Sequence, residues 1–309
     1  MSSGSPRYDV VCLGSCCWDV LGVCEEYPQL DEKRPLEELS EQGGGQGATA
    51  AAAIGRLGGR IAFIGRVGDD TYGRNIVRAF REAGVDTSWG LEVVEGGRSQ
   101  FAFCVAEKGT GRRAIFWQPP GLGPLSPADL DRDRALDARA VLVDGHHVEA
   151  GIRLAGWCEE KGIPVVADLE RPREGLDRLF EAVSFPILPE DFALSWSGAQ
   201  DADEAARVLS LRTRGTLIIT LGTRGSVAYT PAGRHHQPAF EMERVVDTTG
   251  AGDVYHGAFA YAVARGEDLP AAMRFASAAA ALSCRALGGR AGLPTLEEVE
   301  HLLHRGEKL

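Results

Sequence analysis

Residues 247–253 read Asp-Thr-Thr-Gly-Ala-Gly-Asp and run straight into Val254-Tyr255-His256-Gly257-Ala258-Phe259-Ala260-Tyr261-Ala262-Val263-Ala264, an apolar, alanine-rich stretch long enough for three helical turns. The small residues Gly250, Ala251 and Gly252 let the backbone turn tightly and aim successive N–H groups at one spot. That spot lies at a helix start, where unpaired donors and the helix dipole favour an anion. Asp253 stands beside it. An acid there can cap the helix. It can also take a proton from a hydroxyl while the amides steady a phosphoryl group in transfer. Taken alone, the seven residues leave both readings open.

Working outward, the pattern is one of strands alternating with helices. Tyr8–Leu13, closed by Gly14, reads as a first buried strand, 46–58 as an alanine-rich helix, Arg60–Val67 as strand and Tyr72–Ala83 as helix closed by Gly84. Residues 19–42 are more polar and alternate weakly, as exposed strands outside the main sheet would. Gln100–Glu107 and Arg113–Trp117 flank Lys108-Gly109-Thr110-Gly111, a hairpin signature. From Ala140–Asp144 onward the order is strand, helix 150–161, strand Val165–Asp168, helix 175–182, strand Phe185–Leu188, helical turns from 190, and strand Thr216–Leu221. Helices at 251–265 and 270–285 close the chain's regular part. Such alternation argues for a doubly wound α/β/α sandwich with a mainly parallel sheet.

Composition narrows the function. The 309 residues are 44% apolar and 25% charged, ordinary for a globular protein. A net charge of −11 without a basic cluster argues against a nucleic-acid partner. No apolar run approaches the ~20 residues that cross a bilayer. The polar start, 1–7, is expected to be a disordered tail and has no signal core. The seven cysteines lack paired CxxC spacing, which fits reduced thiols in the cytoplasm better than disulfides or zinc.

The run 247–253 resembles the second signature of the ribokinase-like, pfkB-type carbohydrate kinases. The resemblance covers almost the whole chain. Gly43-Gly44-Gly45-Gln46-Gly47-Ala48-Thr49 through Arg56-Leu57-Gly58 is similar to that family's glycine-rich first signature, continued by Ile64-Gly65-Arg66-Val67-Gly68-Asp69-Asp70. Thr220-Leu221-Gly222-Thr223-Arg224-Gly225 is similar to its nucleotide-side loop. Four matches in order and at the family's spacing are far more specific than one. The resemblance implies one kinase domain over 8–309 with a small β-sheet lid at about 19–42 and 92–118, whose edge can pair across a homodimer. It also implies ATP with Mg²⁺ as cosubstrate and a small sugar as acceptor.

Site residues follow position by position. Asp253 is the expected base, with Gly250, Ala251 and Gly252 as anion hole. Asp19, Gly44, Gly45 and Thr49 fall where the family holds sugar hydroxyls, although Cys17 and Thr49 replace its usual Asn residues, and a thiol cannot do an amide's work. Thr220, Gly222, Gly225 and Gly288 match the nucleotide side, which agrees with ligands sitting beyond the carboxyl ends of parallel strands. Asp247 and Thr249, with carbonyls near Gly288, match a K⁺ site. The family's Asn-x-x-Glu motif is altered here to Glu190-Asp191-Phe192-Ala193, so Glu190 is the candidate for holding Mg²⁺ through water.

For the acceptor, the C-terminal region and Lys33 resemble sulfofructose kinases. Trp117 and His146, however, replace an expected Asn and Arg, and the lost guanidinium weakens the case for an anion. Residues 166–174 resemble ketohexokinases, which favours a neutral ketose, fructose first, phosphorylated on a primary hydroxyl. Of His146 and His147, one is expected to line the cleft and the other to point away. Sulfofructose, sugar-acid and nucleoside kinases remain alternatives, as does a sugar-binding protein without turnover. A Rossmann oxidoreductase is disfavoured because Gly43–Gly47 follows the polar Glu38-Leu39-Ser40-Glu41-Gln42 rather than an apolar strand.

Overall fold

The computed structural model describes residues 5–108, 112–230 and 232–305. In the first half the elements are β1 (Tyr8–Leu13), β2 (Cys17–Cys24), β3 (Glu38–Gly44), α1 (Gln46–Arg56), β4 (Ile61–Gly68), α2 (Thr71–Glu82), β5 (Val85–Asp86), β6 (Leu91–Val94), β7 (Gln100–Glu107) and β8 (Arg113–Gln118). There follow α3 (Arg132–Ala135), β9 (Ala138–Val143), α4 (Val148–Lys161), β10 (Val165–Asp168), α5 (Leu176–Ala182), β11 (Phe185–Pro189), α6 (Glu190–Ser197) and α7 (Ala202–Leu209). The last part holds β12 (Leu217–Thr220), β13 (Ser226–Thr230), β14 (Gly233–Gln237), α8 (Ala251–Ala264), α9 (Leu269–Ser283) and α10 (Leu296–Arg305).

The large sheet runs β14-β13-β12-β11-β10-β9-β1-β4-β5, with β6 also on β4. From β5 to β12 every pairing is parallel, and β13 and β14 add an antiparallel edge. Strands buried on both faces should be unbroken apolar runs, and β1 is one from Val10 to Leu13. Val10 and Cys12 face α1, α8 and α9, while Val11 and Leu13 face α4, α5 and α7. The alanines of α8 and α9 let these two helices lie close together on the sheet. This is the expected doubly wound α/β/α sandwich.

A second sheet, ordered β3-β2-β7-β8, stands apart. Its β2 pairs antiparallel with β3 but parallel with β7, and β7 pairs antiparallel with β8. The segment expected from 92 onward needs correction. β6 pairs with β4 through Gly65–Gly68, so residues 92–94 extend the large sheet, and only β7 and β8 reach the small one. Residues 25–37, inside the expected 19–42 segment, are a loop. The turn expected at 109–111 lies outside the described residues, as do residues 1–4 of the expected tail. Arg7, at that tail's end, donates its backbone N–H to Asp137 Oδ1 at 2.9 Å.

Candidate active site

β1 has β4 on one side and β9 on the other, so the chain leaves its carboxyl end in opposite directions. Such a switch point opens a crevice. Here it is a cleft of about 520 Å³, walled by Gly14–Cys17, Asp19, Gly45, Gln46, Trp117, His146, His147 and Glu170 among others. Asp144, at the end of β9, ties the cleft floor together. Its Oδ2 accepts from Ser15 N at 2.5 Å, Ser15 Oγ at 2.8 Å and Gly47 N at 3.1 Å, and its Oδ1 accepts from His146 N at 3.0 Å. His146 Nδ1 lies 3.3 Å from the same Oδ1. These partners outweigh burial and hold the Asp144 carboxyl far below the usual carboxylate range.

The turn into α8 has the expected shape. Gly250 is the N-cap at φ 76°, and a Cβ there would sit 2.6 Å from Gly289 Cα, so only glycine fits. No side chain caps the helix, which leaves the Asp253 carboxylate unspent on capping. The expected hole needs one adjustment. The Ala251 N–H already donates to Thr248 O at 3.2 Å, so the helix-start donors facing outward are those of Gly252 and Asp253. Asp253 is half-buried and stands beside the cleft rather than in its wall. Burial and the carboxylates of Glu170, Asp144 and Asp19 push its carboxyl well above the usual range, and Arg290 opposes them. One turn on, His256 Nδ1 lies 2.5 Å from Gly252 O and 3.4 Å from Oδ2 of the buried Asp168. Burial lowers the His256 imidazole to about 4 and raises the Asp168 carboxyl.

Asp19, Gly45, Trp117 and His146 line the cleft, and Gly44 packs against the Asp19 carboxylate. Thr49, buried in α1, lies behind Gly250 and Gly289. Lys33 does not join them. It sits exposed in the 25–37 loop, outside the cleft wall. The expected division of the two histidines also fails, because both line the cleft. Gly145 (φ 71°) ends β9 before them, so strand alternation no longer applies, and His147 Nδ1 accepts from Leu125 N at 3.0 Å.

On the other side, Thr220 ends β12, and Gly222 and Gly225 (φ 59° and 91°) bracket a single 3₁₀ turn. Gly288 N donates to Asp247 Oδ2 at 2.8 Å, while Asp247 Oδ1 accepts from Thr249 N at 2.9 Å and Thr249 Oγ1 at 2.8 Å. Arg113 of β8 donates to Thr249 Oγ1 at 2.7 Å and lies 3.8 Å from Asp247 Oδ1. These side chains are therefore occupied by protein donors and a guanidinium, a poor fit for K⁺. Glu190 is paired with Arg224, and no cluster of three or more potential metal ligands occurs among the described residues. A magnesium ion that arrives on a nucleotide needs only one or two carboxylates plus water. Glu170, in the cleft wall, fits that need.

Sequence reasoning missed Asp144, Asp168, His256, Arg113 and Arg290. An acid at the carboxyl end of a parallel strand is a usable signal for the first two. The others left none.

Comparison with known proteins agrees with this geometry. The family model described as "pfkB family carbohydrate kinase" matches residues 7–296. The chain is 28% identical over 319 residues to the 5-dehydro-2-deoxygluconokinase of Shouchella clausii strain KSM-K16, covering 96% of each chain. It is 27% identical over 298 residues to mouse ketohexokinase, covering 92% of this chain and 96% of that one. The structure of Arabidopsis thaliana ribokinase complexed with ribose and ATP superposes with a TM-score of 0.82 at 24% identity, over 97% of this chain and 99% of that one. Fold and site together define a sugar-phosphorylating enzyme of ribokinase-like architecture. The chain belongs to the pfkB family of carbohydrate kinases.

Proposed function

We propose that this kinase transfers the γ-phosphoryl group of ATP to a primary hydroxyl of a small ketose, D-fructose first, with Asp253 as the base. The observation that carries the reading is the uncapped start of α8. There the Asp253 carboxylate and the amides of Gly252 and Asp253 share one spot beside a sugar-sized cleft. Asp19 and His146 hold acceptor hydroxyls. Asp253, kept basic by burial and by neighbouring carboxylates, takes the proton as the hydroxyl attacks in line. Magnesium, bound with ATP, would supply charge neutralisation at the phosphates, and Glu170 would hold it.

A neutral acceptor is favoured by the state of two of the wall's three guanidiniums, the third being Arg173. Arg66 is spent on Glu92 (2.6 Å) and Asp129 (3.1 Å), and Arg171 is paired with Glu170 (3.3 Å). The sugar-acid alternative rests on relatives such as the S. clausii enzyme. An ADP-release screen over ketoses, sulfo-sugars, sugar acids and nucleosides decides among them. Response to D-fructose is expected, and response to sugar acids or nucleosides alone refutes the ketose reading.

The small sheet exposes Leu39 (58%) and Phe116 (68%) and is the surface through which a homodimer is proposed, with light scattering as its test. No helix among the described residues is long and apolar enough to cross a membrane. Seven free, buried cysteines suit the reducing cytoplasm proposed as its location.

A further inference from the structure

Arg290 is the charged group that the proposed reaction leaves unused. Its backbone N–H donates to Gln42 Oε1 at 2.8 Å, Gln42 Nε2 donates to Leu287 O at 3.1 Å, and Arg290 Nη2 donates to Gly44 O at 3.3 Å. Loop 287–290, beside the α8 turn, is thus clipped to the end of β3. The guanidinium runs along the two glycines that finish that strand. A Cβ on Gly43 would overlap Arg290 Nη1, and a Cβ on Gly44 would overlap the Asp19 carboxylate. Arg290 Nε and Nη1 are buried with no hydrogen-bond acceptor among the described residues. A buried cation held only by one carbonyl and the face of the Phe80 ring, 5.7 Å from its centre, is costly unless an anion compensates it.

We propose that Arg290 is a positioning residue for the acceptor: it holds Asp19 as an anion against the end of β3, ready to accept the sugar's hydroxyls. The idea rests on the proposed function for the sugar's part and on the geometry for the charge. The groups facing Asp19 are few. Its own strand offers the Cys17 thiol, β3 the neutral Gln42 opposite, β7 the Cys104 thiol, the head of α8 the carboxylate of Asp253, and the 287–290 loop the guanidinium. Burial raises the Asp19 carboxyl, while the Cys17 thiol and Arg290 draw it down. Burial also lowers Arg290, to about 10, so it stays charged at neutral pH. Removing the cation leaves burial to act on Asp19 against a single thiol.

The test is a carboxyl ¹³C NMR titration of the wild type, R290Q and R290K, with D19N identifying the Asp19 signal and thermal melts checking the fold. In R290Q the Asp19 midpoint rises by about one unit, a tenfold change in its proton affinity. In R290K, where a point charge replaces the fork to Gly44, it rises by roughly half as much. With D-fructose and ATP, R290Q raises the fructose KM most under acid, by up to about tenfold below the wild-type Asp19 midpoint, and leaves the ATP KM within about twofold. A folded R290Q with an unmoved Asp19 midpoint overturns the proposal. If R290Q does not fold, an unmoved midpoint in R290K does so instead. A wild type that ignores fructose sinks the ketose reading but leaves the titration to decide this one.

Discussion

Replacing Asp144 by Asn leaves the shape of the side chain and removes its charge, at the point where β1, α1 and β9 meet. The carboxylate accepts from Ser15 N, Ser15 Oγ, Gly47 N and His146 N. Bonds to a charged acceptor contribute about 1.5–3 kcal/mol and neutral ones about 0.5–1.5. Weakening four of them by roughly 1 kcal/mol each therefore costs about 4 kcal/mol. Turning the new amide toward His146 N–H, which the Nδ2 cannot accept, brings the total to about 5 kcal/mol. Scaling the usual unfolding entropy per residue to this chain makes each 1 kcal/mol worth roughly 1.5 °C, so Tm should fall by about 8 °C at pH 7.

The pH dependence has a definite sign. The folded Asp144 carboxyl titrates far below its unfolded value. Its stabilising share is thus complete above about pH 4 and shrinks as the pH falls below that. Differential scanning fluorimetry of wild type and D144N should show a gap that is constant from pH 8 to 5 and narrows under acid. An unchanged Tm at pH 7, or a gap that widens on acidification, refutes the account.

Asp253→Asn should lower kcat by about 10²–10⁴-fold with the ATP KM nearly intact. The folded Asp253 carboxyl is raised, so ionising it weakens the fold as the pH climbs past its unfolded value. The same variant should therefore melt higher than wild type at pH 8, and steady-state kinetics with a melt checks both halves. Gly250→Ala places a Cβ against Gly289 at φ 76° and should cost about 1–3 kcal/mol along with most turnover, read by chemical denaturation and ADP release. Arg113→Met frees Thr249 and Asp247 of their guanidinium. K⁺ should then raise the Tm of the variant, while leaving that of the wild type unmoved relative to Na⁺.

Reading the chain in order gave the sandwich, because Val10–Leu13, Ile61–Gly65 and Val165–Ala167 are short runs without a charge and α8 and α9 are too alanine-rich to be anything but packed helices. The α8 turn was legible for a local reason: Gly250, Ala251, Gly252 and Asp253 are neighbours in sequence. What escaped was made by distance along the chain. Asp144 meets Ser15 across 129 residues, and Arg290 meets Gln42 across 248, so no window of sequence holds either pair. β14 was missed because Gly233–Gln237 is a polar edge strand whose pairing with β13 needs little apolar character. Lys33 was misplaced because position in a 13-residue loop, 25–37, says nothing about where an exposed side chain reaches.

The parallel pairing of β2 with β7 sets who can change what. The strands of the small sheet, β2, β3, β7 and β8, all lie before residue 119, whereas the α8 turn and the β12–β14 edge all lie after residue 216. A lineage can therefore exchange the small sheet with the front of the gene and leave the α8 turn untouched, while His146 and Arg290 stay behind with the back.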